Sequence, residues 1–130
     1  MKNFARIPRE DGMWNFRKTD GTFLSKEWFK WVWDFCEGFA RVMREDRTWN
    51  FLKPDGTLLS RERFLLAWDF CEGFAQVKRE DGMWNFIKTN GKFLSKEWYP
   101  FIASFRGGVA LVERTDGSLH RMTTDGSFIT

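Results

Sequence analysis

The amino-acid sequence predicts an all-β fold made of tandem repeats, and two observations carry this prediction. The octapeptide WDFCEGFA occurs twice, at residues 33–40 and 68–75, a step of 35 positions. Asp-Gly or Asn-Gly pairs recur at the same step and are strong hairpin signals, because glycine adopts positive φ without steric cost. A fixed period of this length is typical of an array of one supersecondary unit, in which neighbouring copies bury each other's faces.

The 35-residue step runs through the chain without insertion or deletion. It aligns three Trp-Asn-Phe motifs with a degenerate fourth copy: Trp14-Asn15-Phe16, Trp49-Asn50-Phe51, Trp84-Asn85-Phe86 and Leu119-His120-Arg121. We therefore expect a single repeat domain over residues 1–130, in units of about 4–38, 39–73, 74–108 and 109–130, of which the last is truncated.

Each unit is predicted to consist of β-hairpins, and the second copy illustrates their order. The first strand spans residues 39–44, where Ala40 and Val42 share one face with a period of two. Trp49-Asn50-Phe51 begins a second strand that is rich in aromatic residues. Asp55-Gly56 then forms a turn, and the apolar pair Leu58-Leu59 forms a short third strand.

The connection to the next unit is predicted to contain one helical turn. Ser25, Ser60 and Ser95 are suitable N-caps, and the acid two residues later is favoured near a helix start. An extended segment such as residues 31–36 then leads into the Glu-Gly junction of the next unit. Each repeat is thus expected to hold three strands and one helical turn.

The ends of the chain bear on whether the array is open or closed. The chain begins at a first strand and ends after a third strand, so it has four hairpin units but only three connectors. This favours repeats stacked in an open or curved array with atypical ends. The alternative is a closed, four-bladed propeller-like arrangement, which would have to seal without a fourth connector. In an open array the terminal strand edges would invite self-association.

Two motifs carry a resemblance to a known family. Trp-Asn-Phe, preceded by Asp-Gly and followed by Lys-x-x-Gly, and the junction Phe-x-Glu-Gly-Phe-Ala-x-Val together resemble the WG-containing β repeat of bacterial proteins. Residues 35–42 are the closest match, and the Trp-Asn-Phe variants look like those of gut Bacteroidota. The chain departs from the name-giving dipeptide, since Asn follows Trp here. The resemblance covers nearly the whole chain and implies a tandem β repeat with no shared catalytic activity.

Composition limits the broad class of the protein. A net charge of +3 and a pI near 9.0 permit an acidic partner without requiring one. No run of about 18 apolar residues is present, so no membrane span or membrane partner is expected. The start of the sequence lacks the apolar region of a signal peptide, which predicts a cytoplasmic protein unless a leader has been removed.

The side chains available for chemistry do not predict an enzyme. His120 is the single histidine, and it lies in the degenerate fourth copy. Cys36 and Cys71 are too few for a disulfide framework and, without further soft ligands, are better interpreted as small core residues. Turn chemistry accounts for the Asp-Gly pairs without calcium, and Gly107-Gly108 lacks the phosphate-loop pattern. We therefore expect no catalytic residue, no metal and no cofactor.

Repeated positions form rows of basic side chains. The three rows are Arg9, Arg44, Arg79 and Arg114, then Lys18, Lys53 and Lys88, and finally Lys26, Arg61 and Lys96. Rows that faced one side would make a basic stripe able to follow a phosphate backbone. Glutamates adjoin the first and third rows, which favours structural ion pairs instead.

Aromatic residues divide into regular and irregular positions. Trp14, Trp49 and Trp84 recur at one position, which predicts core packing. Trp28, Trp31 and Trp98 are less regular and are therefore freer to contact a partner. Exposed Trp beside Arg and Lys is enriched in protein interfaces.

These patterns predict a non-catalytic binding module. The favoured partner is another protein, bound through an aromatic and basic face that includes Trp28, Trp31, Trp98 and the first two basic rows. Nucleic-acid binding along the Arg and Lys rows is one alternative. Carbohydrate binding through exposed Trp is another.

Overall fold

The structure, a computed structural model, describes residues 4–129. These residues form twelve β-strands in antiparallel sheets and no helix, which confirms the all-β prediction. The strands are β1 (Phe4–Pro8), β2 (Trp14–Lys18), β3 (Trp31–Cys36), β4 (Phe39–Met43), β5 (Trp49–Leu52), β6 (Leu66–Ala67), β7 (Phe74–Lys78), β8 (Trp84–Lys88), β9 (Phe101–Ile102), β10 (Val109–Glu113), β11 (Leu119–Thr123) and β12 (Phe128–Ile129).

The chain divides into two compact units, Met1–Arg63 and Phe64–Thr130. In the first unit β1 pairs with β2, and a second sheet has the order β3-β4-β5. In the second unit the sheets have the orders β6-β7-β8 and β12-β11-β10-β9. Strands that are consecutive in sequence are neighbours in each sheet, so every sheet is a meander built from local hairpins.

The repeated octapeptide forms a hairpin in each unit. In the first unit Cys36 pairs with Phe39 around Glu37 and Gly38, whose φ angles are 51° and 87°. Two central residues with positive φ define the turn whose twist matches the flanking strands. The segment from residue 31 to 36, expected only to be extended, is therefore strand β3 and pairs with β4. The second copy makes the same turn at residues 72 and 73.

The predicted helical turn after Ser25 is wrong, and the same holds at Ser60 and Ser95. The Ser25 hydroxyl accepts a hydrogen bond from the Glu27 amide at 3.1 Å, but the chain then bends at residues 26 and 27 without forming a helical turn. The Leu24 amide donates to the Phe16 carbonyl at 2.8 Å, and Phe29 bonds back to β2 through a bridge. These bonds and the bridge hold both ends of the segment to β2, and the residues between them form bends.

A buried asparagine in each of the first three copies holds this segment in place. Asn15, Asn50 and Asn85 are each 0% exposed. The Asn50 amide nitrogen donates to the Ser60 carbonyl at 2.8 Å. The Asn50 carbonyl oxygen accepts from the amide of Phe51 at 2.7 Å and from that of Ser60 at 3.3 Å. One side chain thus substitutes for part of a missing backbone ladder.

Each unit has its own apolar core between its two sheets. In the first unit Phe16 of β2 is clustered with Val32, Ala40 and Val42 of the following sheet. In the second unit Phe86 of β8 is clustered with Met122 of β11 and its neighbours. The residues of both clusters are almost fully buried. In each unit, one face of the first sheet therefore packs on the facing side of the second sheet.

Gly56 is required by the close approach of the turn after β5 to the segment that follows β2. A Cβ atom at this position would lie 2.1 Å from the Leu24 carbonyl oxygen, and its φ is +88°. Both facts exclude any larger residue without a shift of the backbone. Among the residues described, no helix is long and apolar enough to cross a membrane.

We expect Asn50→Asp to lower the free energy of unfolding by about 2 kcal/mol or more. The carboxylate cannot donate to the Ser60 carbonyl, and its charge would be buried. Asn90→Asp is the matched control, because Asn90 is exposed and acts as an acceptor, bonding the Lys92 amide at 2.9 Å. Urea denaturation measures both variants, and equal losses would contradict the structural role assigned to Asn50.

The last hairpin is expected to give a measurable pH dependence. Hydrogen bonds from the Ser127 and Thr123 hydroxyls and the Ser127 amide lower the pKa of Asp125 to about 2. The stabilisation is therefore complete above the ordinary Asp pKa of about 3.9 and is lost as the pH falls through about 2. The stability difference between wild type and Asp125→Asn should shrink on acidification from pH 5 to 2. A constant difference would contradict the assignment.

Candidate functional site

Each unit carries a cluster in which an arginine stacks on a tryptophan. In the first unit the Arg9 guanidinium lies 4.5 Å from the ring centroid of Trp28. Asp11 binds the same guanidinium at 2.7 Å, and the Phe23 ring packs edge-on against Trp28 at 4.8 Å. We call Arg9, Asp11, Phe23 and Trp28 the first Trp–Arg cluster. Trp28 is half-buried, while its neighbours are exposed.

The second unit repeats this arrangement almost atom for atom. The Arg79 guanidinium lies 4.4 Å from the ring centroid of Trp98, and Asp81 binds it at 2.7 Å. The Phe93 ring contacts Trp98 edge-on at 4.9 Å. These four residues form the second Trp–Arg cluster. Two copies with the same geometry show that the cluster is a built feature of the repeat.

The turn between β1 and β2 orients the Arg9 side chain through Asp11. The Asp11 carboxylate binds Arg9 and also accepts a hydrogen bond from the Met13 amide at 3.0 Å. These two interactions lower the pKa of Asp11, and the bond to Asp11 raises the pKa of Arg9. Both groups therefore stay ionised at neutral pH, and the guanidinium is oriented before any partner arrives.

The second and fourth copies use the same positions for ion pairs. Arg63 replaces the tryptophan in the second copy and binds Asp46 at 2.6 Å. Arg44 is then free of Asp46 and binds Glu27 through two bonds of 2.8 and 3.0 Å. Arg114 binds Glu97 in the same bidentate way, at 2.9 and 3.0 Å.

Every arginine of the first basic row therefore has a carboxylate partner. The partners are Asp11, Glu27, Asp81 and Glu97, and not the adjacent glutamates at residues 10, 45 and 80. Two of these carboxylates come from the glutamates that adjoin the third row. The charge of the row is thus balanced locally, as the interspersed acids indicated.

The lysine row lies away from the arginine row in each unit. Arg9 follows the end of β1, whereas Lys18 is at the far end of β2, about 16 Å along the strand. The backbone amides of Lys18, Lys53 and Lys88 each close an Asp-Gly or Asn-Gly turn with a bond of 2.8 Å. Within a unit, the two rows therefore do not merge into one stripe.

Trp31 belongs to a different aromatic group from Trp28. Its ring packs edge-on against Trp14 at 4.6 Å and Trp33 at 6.2 Å. Trp33 in turn stacks on Trp49 at 4.6 Å. Trp49 is buried, and the other three are partly buried, so this run of tryptophans mainly serves packing.

Sequence reasoning missed Phe23 and Phe93, although the repeats contain a signal for them. The position five residues before Trp28 and Trp98 is Phe in both copies. It is Leu58 in the copy where Arg63 replaces the tryptophan. Phe and Trp therefore change together, as expected for side chains in contact.

His120 contacts two side chains of the fourth copy. Its Nε2 lies 2.8 Å from the Ser118 hydroxyl, and its ring stacks on Phe128 with centroids 4.7 Å apart. Across residues 4–129 no group of three His, Cys, Asp or Glu side chains is placed to hold a metal ion.

A double-mutant cycle on Arg44 and Glu27 is expected to give a coupling energy of about 1 kcal/mol, because the pair is bidentate and partly buried. The changes are Arg44→Met and Glu27→Gln, measured by urea denaturation. The matched cycle on Arg63 and Asp46 should give a smaller coupling, because both side chains are about half exposed and share a single short bond. A larger coupling in the exposed pair would contradict this ranking.

Comparisons with known proteins bear on the fold alone. No family model and no curated protein matches the chain. The structure is similar to that of the computationally designed Ika4 protein, with a TM-score of 0.50, 14% identity, and coverage of 95% of this chain and 86% of that chain. It is also similar to the computationally designed Ika8 protein, with a TM-score of 0.52, 14% identity, and coverage of 96% of this chain and 44% of that chain. The WD40 β-propeller domain of Doa1 matches with a TM-score of 0.45 at 16% identity, over 98% of this chain and 50% of that chain. The chain is an all-β module of tandem repeats.

Proposed function

We propose that this chain is a non-catalytic repeat module that binds another protein through its two Trp–Arg clusters. The observation that carries the proposal is the recurrence of the whole cluster, in which an arginine lies 4.5 or 4.4 Å from a tryptophan ring centroid. As part of the same proposal we assign the repeats to the WG-containing type, on their Trp-Asn-Phe motifs and Glu-Gly hairpins.

The composition of the clusters favours a protein partner. Tryptophan and arginine are the residues that most often dominate the energy of a protein interface. Stacking and the ion pair hold both side chains in place beforehand, so binding would cost little side-chain entropy. Phe23 is 46% exposed and extends the apolar part of the first cluster.

The same contacts count against the two alternative partners. A nucleic-acid phosphate would have to displace Asp11 or Asp81 from its arginine and would be repelled by the freed carboxylate. A sugar ring stacks on an open indole face, but in both clusters a guanidinium already covers one face of the tryptophan. A protein can use the exposed edge of the stack and leave these contacts intact.

The test is a pull-down from lysate of the source organism, with and without nuclease, using wild type and the double variant Trp28→Ala/Trp98→Ala. We expect a discrete protein that is retained after nuclease and reduced at least tenfold by the double variant, because the variant removes both stacking platforms. Trp68→Ala is the matched control, since Trp68 is 46% exposed but lies outside both clusters.

Two outcomes would contradict the proposal. One is material whose recovery is lost on nuclease treatment, which would favour nucleic acid and predict a steep loss of binding with salt. The other is a protein lost equally in the Trp68→Ala control, which would show that the two Trp–Arg clusters are not the binding site.

A further inference from the structure

The last sheet of the second unit exposes an apolar face. Its outward side chains include Phe101, Leu111, Leu119 and Ile129, which are 46%, 39%, 62% and 39% exposed. The opposite face of the same strands holds Ile102, Ala110, Val112 and Met122, each at most 5% exposed. Large apolar side chains gathered on one face of a sheet mark an interaction surface. We call the exposed side the terminal face.

The terminal face is not suited to receive another repeat in the manner of the internal sheets. Within the units, the buried Phe16 and Phe86 pack in cores that include Leu52 and Met122 of the next sheet. In the fourth copy, the residue equivalent to Phe16 and Phe86 is Arg121, which lies on the terminal face.

The first sheet of the chain has a charge at the matching place. In the 35-residue repeat, the residue equivalent to Leu52 and Met122 is Arg17 in the first copy, and Arg17 is exposed. A head-to-tail contact between two copies would therefore bring Arg121 and Arg17 together. Burying two like charges close together is unfavourable, so this contact is disfavoured.

The terminal face is instead complementary to itself. In the antiparallel register Leu111 lies opposite Arg121, and Glu113 lies opposite Leu119. The four side chains point outward and form a square, with leucines on one diagonal and opposite charges on the other. A twofold axis along the leucine diagonal would set each leucine against its own copy. The same axis would set each Glu113 opposite Arg121 of the partner subunit.

We propose that a second copy of this chain covers the terminal face in a twofold-symmetric dimer. The leucines supply the apolar centre, and two symmetric Glu113–Arg121 pairs fix the register. This contact uses a sheet face and not a strand edge, and it is separate from the Trp–Arg clusters. It therefore does not rest on the proposed function.

Charge reversal and rescue test the proposal by sedimentation equilibrium over a range of protein concentrations. Glu113→Arg and Arg121→Glu should each weaken dimerisation at least tenfold, because each places like charges opposite one another. The double variant Glu113→Arg/Arg121→Glu restores opposite charges across the axis and should recover the dimer. Circular dichroism checks that each variant is folded, so that a loss of the dimer is not a loss of folding.

Leu119→Lys gives a second test, because it places a charge at the twofold axis and should make the chain monomeric. Leu65→Lys is the matched control, since Leu65 is 51% exposed and outside the terminal face, and it should stay dimeric. A wild-type chain that is monomeric at every concentration would overturn the proposal. So would species that grow beyond dimers, or a double charge variant that fails to recover the dimer.

Discussion

The buried asparagine of the Trp-Asn-Phe motif is the interaction on which the repeat depends. After the Asp-Gly turn the chain must run back along the second strand, yet only isolated bridges tie it there. Asn15 closes the gap, donating to the Ser25 carbonyl at 2.8 Å and accepting from the Ser25 amide at 3.2 Å. Because Asn15 is fully buried, leaving these polar groups unpaired would be costly, and this placement of the segment satisfies them.

The surface chemistry follows from that buried constraint. Ser25 is held by the asparagine and turns the chain through its hydroxyl, which brings Glu27 towards Arg44 and Trp28 under Arg9. The second unit does the same from Asn85 and Ser95 onward. In the second copy Arg63 stands at the position of Trp28, and an ion pair with Asp46 replaces the cation–π stack. The hydrogen bond from the buried asparagine to the serine carbonyl is the same.

The two ends of the repeated pattern differ from its interior through charge. Inside each unit, apolar residues from neighbouring sheets share a core. At the corresponding positions of the first and fourth copies the chain has Arg17 and Arg121, and both are exposed. A limited, symmetric contact remains available because Glu113 shares the face with Arg121.

The sequence alone determined the all-β class, the 35-residue period, and the hairpins at Asp-Gly, because these depend on local backbone preferences and simple repetition. It also indicated that acids would neutralise the arginine row. Only the tertiary structure decided which acids do so: Arg44 binds Glu27, 17 residues away, and not the adjacent Glu45. It also replaced the expected helical turn with a bent, non-helical segment, and it separated Trp31 from Trp28. These features are set by contacts between strands that are distant in sequence. A propensity for a serine cap is weaker than two backbone hydrogen bonds and a buried amide that hold the same segment against β2.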